Sequence, residues 1–193
     1  QAARQGEGLV TTGALRLYGY WRSSAVYRVR IALNLKKLDY ENFPVHLVRD
    51  GGEQHAAPYR DLNPQELVPV LLHGSRILRQ SMAIIEYLDE TWPSLPLLPS
   101  VARDRQRVRA LAQTIACDIH PINNLRVQQY LETVLGVSEE QKQAWVRHWI
   151  ESGLTALEVL LADNPSTGEF CEGDVPTLAD CCLVPQIFNG KRF

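Results

Sequence analysis

From Leu15 onward, Leu15, Leu17 and Gly19 alternate with Arg16, Tyr18 and Tyr20, the period-two pattern of a strand with one buried face. The next stretch, WRSSAVYRVRIAL (21–33), carries Val26, Val29 and Leu33 at i, i+3, i+7 and predicts an amphipathic helix. DYENFPVHLV (39–48) reads as a second strand, and the polar stretch after it, with Gly51, Gly52 and Pro58, as irregular or weakly helical. LVPVLLHGSRIL (67–78) predicts a hairpin turning at His73-Gly74-Ser75, after which Ser81 is expected to cap a helix bearing Ile84, Ile85 and Leu88. TWPSLPLLPS (91–100) holds three prolines in ten residues and reads as a linker. Strand patterns then stop, and 101–132, 138–163 and 177–190 read as helices separated by Gly136 and by DNPSTGEFCEGDVP. The expectation is α/β plus all-α: an α/β domain over 15–91, a linker over 92–100 and an all-helical domain over 101–193, preceded by a loose leader over 1–14.

Composition narrows the classes. The 193 residues suit one large or two compact domains, and 45% hydrophobic with 22% charged residues is ordinary for a soluble globular chain. No apolar run reaches the length of a membrane span, and the first fourteen residues lack the apolar core of a secretory signal. The missing initiator Met reads as a processed or trimmed start. A net charge of −2 argues against nucleic acid or an anionic membrane as partner. Cys117, Cys171, Cys181 and Cys182 lack metal-ligand spacing and read as reduced, buried thiols of a cytoplasmic protein.

Candidate chemistry gathers at helix starts. Ser23 and Ser24 lie where the first strand hands over to the first helix, so free N–H groups and the positive dipole end face that turn. A hydroxyl there fits two roles: capping the helix, or donating to a bound anion or thiolate. Gln80-Ser81 is a second polar pair at a helix start. Pro69 inside an apolar strand suggests a cis Val68-Pro69 bond, which leaves the backbone of Val68 free to pair with an extended ligand. TLAD (177–180) resembles a capping box, with Thr177 and Asp180 as its partners. The arginines of RDRQRVR (103–109) read as a solvated helix face. Five scattered histidines and the absence of a nucleophile elbow or a glycine-rich phosphate loop after a strand give no hydrolase or nucleotide signature.

SSAVYRVRIAL, NPQELVPVL, QSMAIIEYLDE, CDIHPINNLRV and GDVPTLADCCLVPQ, in this order, resemble the zeta class of glutathione transferases, the family of the maleylacetoacetate and maleylpyruvate isomerases. The resemblance covers residues 15–193. It implies a thioredoxin-like N-terminal domain, a helical C-terminal domain, a homodimer, and glutathione as the extended anionic ligand. It puts Ser23 against the glutathione sulfur, with Ser24 and Arg28 beside it. Gln54 and Val68 fall at glutathione-backbone positions, and Gln80 and Ser81 at the γ-glutamyl end. His120, Asn124, Leu125 and Arg126 belong to a segment closing over the site. Ala25 stands where the family motif usually has Cys, and relatives continue with further helix beyond Phe193.

The implied activity is glutathione-dependent cis–trans isomerisation of a maleyl diketo acid in aromatic-compound breakdown. The alternatives are a general glutathione transferase or dehalogenase, and a non-enzymatic docking module, which would need none of these site residues. Lowering a thiol pKa of about 8.5 by two units takes roughly 2.7 kcal/mol, within reach of a hydroxyl donor at a helix N-terminus. Arg22, Arg126 and Arg192 are the candidate partners of the substrate's two carboxylates, with Arg22 and Arg126 expected on opposite walls. No metal is implied.

Overall fold

The computed structural model describes residues 13–193, so all but the end of the expected leader lies outside the described residues. Strand β1 (Leu15–Gly19) leads into α1 (Ser24–Leu35), β2 (Glu41–Pro44), a short α2 (Ala57–Leu62), β3 (Val70–His73), β4 (Arg76–Arg79) and α3 (Ser81–Thr91). The helical part comprises α4 (Ala102–Gln113), α5 (Leu125–Thr133), α6 (Glu139–Ala162) and α7 (Leu178–Gly190). The sheet order is β2-β1-β3-β4, with β2 parallel to β1 and the other neighbours antiparallel. This is the thioredoxin-like mixed sheet followed by helices.

The strands take their places by their patterns. The Val-Leu-Leu run of β3 is buried on both faces, and Leu17 pairs with Leu71 at the centre of the sheet. Leu17 and Leu71 join the core under α1 and α3, while Val70 and Leu72 join Val45 and Tyr59 on the other face. The second strand is shorter than its pattern suggested. Pro44 removes a ladder donor, and beyond it the Nδ1 of His46 accepts from the amides of Val48 and Arg49 and folds the chain back.

The long helix expected over 101–132 is broken. A π-helical turn occupies Thr114–Ile119, where the amide of His120 reaches back five residues to Ile115 O at 2.9 Å. Pro121 follows without a donor, a 3₁₀ turn spans Pro121–Asn123, and the Asn124 side chain caps α5 by accepting from Arg126 N at 3.2 Å. Of the α4 arginines, Arg103 is solvent-exposed as expected, but Arg107 and Arg109 reach other elements. Arg109 makes a two-pronged bond to Glu86 on α3, and Arg107 reaches the carbonyl of Cys171, Glu172 and Thr167 in the loop before α7.

The proline-rich connection is pinned rather than loose. The buried ammonium of Lys36 contacts Asp89 at 2.7 Å and the carbonyls of Trp92, Ser94 and Leu95. One hydrophobic core runs from Leu17 and Val29 through Ile84 and Leu88 to Val108, Leu178 and Cys182, and α1 packs directly on α7. The sheet part and the helical part therefore share one core.

Candidate active site

Ser23 ends the turn after β1 as the N-cap of α1, its Oγ accepting from Val26 N–H at 3.3 Å. A hydroxyl that accepts through a lone pair still has its proton to give, so capping and donating are compatible. Ser24 opens the helix and is buried. Ser81 does not cap its helix as expected. Gln80 holds the cap position with φ +68, and Ser81 Oγ instead accepts from Arg28 Nη1 at 3.3 Å.

Three cavities meet around this turn. The first, about 310 Å³, lies among Ala25, Arg28, Gln80, Ser81, Cys117 and His120. The second, about 210 Å³, runs from Ser23 and Ser24 to Arg22, Asn123, Gln186 and Arg192. The third, about 230 Å³, is bordered by Ser23, Gln54, Gln65, Val68 and Arg126. His120 and Asn124 border the first two, Ser23 and Leu125 the last two, and Val68 and Arg126 the first and third, so the three make one cleft.

Every candidate ligand-binding residue named in the sequence borders this cleft, and the three candidate arginines distribute over its parts. Arg22 and Arg192 line the second cavity together, whereas Arg126 lines the other two and not that one. Arg22 thus shares its part of the cleft with Arg192, the third candidate arginine, and Arg126 borders the adjoining parts. The reason lies in α7, which carries the chain end back over the α1 turn.

The cleft is electrostatically prepared for anions. Arg28 is 2% exposed, and its Nε and Nη2 have no hydrogen-bond partner among the described residues. Burial lowers its pKa, the expected response of an unpaired buried cation. Burial, then Arg28 and Arg126, push His120 down to about 3, so its imidazole is neutral at physiological pH. No Asp or Glu side chain lines either of the first two cavities.

Val68-Pro69 is cis, and Val68 has no backbone hydrogen bond among the described residues. Gln54, 5% exposed, donates to Leu47 O, and its Oε1 is enclosed without a partner. Free backbone at Val68, the start of α3 at Gln80-Ser81, and the unpartnered Nε and Nη2 of Arg28 and Oε1 of Gln54 fit a short peptide with anionic ends. Among the described residues no cluster suits a metal ion and no helix is long and apolar enough to cross a membrane.

Three cysteines are buried as expected, but Cys117 is exposed and borders the first cavity. The π-helical turn carries it, and a helical pattern could not have revealed that. Sequence reading also passed over Asn123 and Gln186. HPINN did contain a signal, two adjacent amides after a proline, but Gln186 sits in an apolar helix without one.

Residues 17–96 match the family described as Glutathione S-transferase, N-terminal domain. A probable maleylacetoacetate isomerase of Vibrio cholerae is 57% identical over 180 residues, spanning 93% of this chain and 83% of the relative. The chain belongs to the zeta-class glutathione transferases. A solved maleylpyruvate isomerase of this class superposes with a TM-score of 0.88 at 50% identity, covering 92% of this chain and 82% of the other. The maleylacetoacetate isomerase of Methylobacterium extorquens AM1, solved with malonate and glutathione, also gives a TM-score of 0.88, at 42% identity over 92% of this chain and 82% of its own.

Proposed function

We propose that this zeta-class protein isomerises a maleyl diketo acid from cis to trans with glutathione as cofactor, as a cytoplasmic homodimer acting in aromatic-compound breakdown. The observation that carries this reading is the position of Ser23. It borders both the third cavity, with Val68 and Gln54, and the second, with Arg22 and Arg192. A thiol laid along Val68 therefore meets a substrate held by two guanidinium groups.

Bound glutathione supplies a thiolate that adds reversibly to the cis double bond, leaving a single bond free to rotate. Ser23 donates an O–H hydrogen bond to the sulfur while its oxygen stays tied to Val26 N–H. The N-terminus of α1 adds its partial positive charge at the same point. Arg22 and Arg192 hold the carboxylates, each charge-assisted bond contributing about 1.5–3 kcal/mol. Arg126 serves the glutathione side with Gln54 and Val68. Gln80, Ser81 and Arg28 hold the γ-glutamyl end, while His120, Asn124 and Leu125 close the wall. Neutral His120 leaves the net charge of that wall to the arginines.

Ser23→Ala should remove the sulfur's donor and raise the barrier by about 2–4 kcal/mol, a loss comparable to that of an oxyanion donor. It should leave the diacid KM within twofold. Turnover by Ser23→Ala at the wild-type rate would overturn the assignment, and a larger loss in Ser24→Ala would transfer it to Ser24.

A further inference from the structure

The second cavity contains polar groups that the isomerase reading does not use. Gln186 on α7 is 2% exposed and its Oε1 has no partner, and Asn123 has both amide atoms, Nδ2 and Oδ1, enclosed without a partner among the described residues. Buried polar groups are nearly always paired, so two unpaired amides on one small cavity suggest a ligand that completes them. Their backbones are fixed. Asn123 O accepts from Gln128 Nε2 at 2.8 Å and Asn123 N donates to His120 O at 3.2 Å, while Gln186 lies in mid-helix. Only the side-chain tips are left over.

The chemistry of the lining narrows the ligand. Exposed Arg22 and Arg192 give the cavity a cationic mouth, no Asp or Glu side chain lines it, and the buried amides are neutral. This suits a molecule with anionic ends and a polar, uncharged middle. A diketo acid has that middle: a keto oxygen conjugated with the double bond, and a second oxygen carried as an enol hydroxyl.

We infer that Asn123 and Gln186 bind this diketo unit, Asn123 Nδ2 donating to the conjugated keto oxygen and Gln186 Oε1 accepting from the enol hydroxyl. The inference rests on the isomerase reading and deepens it. As the S–C bond forms, the double bond's electron pair moves onto the keto oxygen, and as that bond breaks the pair returns. The oxygen is charged only while the central carbon–carbon bond is single. A fixed amide donor at that oxygen therefore favours the transition state over the bound substrate. Asn123 would be a catalytic residue, and Gln186 would select diketo acids from plain diacids.

The test compares Asn123→Leu, Asn123→Asp and Gln186→Met with the wild type in the full-length chain. Turnover of the cis diketo acid is measured together with calorimetric binding of malonate and of a saturated, unreactive diketo diacid, all with glutathione present. Both Asn123 variants should lose about a hundredfold in kcat. Gln186→Met should weaken the diketo diacid about tenfold, and malonate should bind Asn123→Leu and Gln186→Met as it binds wild type. Unchanged kcat in both Asn123 variants, or equal weakening of malonate and the diketo diacid by Asn123→Leu and Gln186→Met, would overturn the assignment and leave these amides structural. A wild-type chain that binds malonate and glutathione but does not turn over the cis acid would instead overturn the isomerase reading, and this inference with it.

Discussion

His120 lies in the cleft wall, where desolvation, and then the charges of Arg28 and Arg126, lower its pKa from 6.5 to about 3. The consequence for stability has a definite sign. Between those values the unfolded chain takes up a proton that the folded chain refuses, so stability is complete above about pH 6.5 and falls as pH drops towards 3. The slope from one such group is at most about 1.4 kcal/mol per pH unit. Urea unfolding at about pH 7 and pH 4.5 should therefore show a smaller acid loss in His120→Gln than in wild type. An identical loss would mean that His120 does not resist protonation. The buried thiols are quiet at the same scale. Burial raises Cys182 to about 11, and its Sγ–H points at Met82 Sδ at 3.4 Å, so neither sulfur competes with a cofactor thiolate at neutral pH.

At the scale of elements, α7 positions Gln186 and delivers Arg192, and its start is fixed by Asp180. That carboxylate accepts from Thr177 N at 2.7 Å, from the Thr177 hydroxyl at 2.8 Å and from Cys171 N at 2.9 Å, tying the helix to the loop before it. Asp180→Ala strands all three donors in a buried place and should lower unfolding free energy by about 3 kcal/mol, measured by urea titration. A loss below about 1 kcal/mol would show that the loop finds other partners. This start was legible as TLAD because capping is local chemistry written in four consecutive residues. The broken helix after α4 was not. The π-helical turn packs its Ile119 against Gly153 of α6, where an added Cβ would lie 2.4 Å from Ile119 Cγ1. Such a contact joins residues far apart in sequence, and no period in 101–132 records it. For the same reason Arg107 and Arg109 looked solvated: their partners come from other elements.

Across the whole molecule, one core joins the sheet and the helices, and the cleft lies along that seam. Ser23, Gln80 and Val68 could be named from the sequence because helix starts and a proline in a strand leave local marks. How Arg22 and Arg192 come together, and how Asn123 and Gln186 meet them, is decided by α7 packing on α1, a long-range contact. The chain carries a net charge of −2, yet Arg22, Arg28, Arg126 and Arg192 all border the cleft, so its field draws anions despite the overall balance. Above all, this cleft uses a thiol catalytically on a cis diacid. The most direct measurement is the absorbance of a maleyl diketo acid mixed with the protein, with and without glutathione, while total glutathione is assayed in parallel. Conversion to the trans acid is expected only when glutathione is present, with total glutathione constant throughout. Conversion without glutathione, loss of glutathione in step with substrate, or no conversion at all would contradict it.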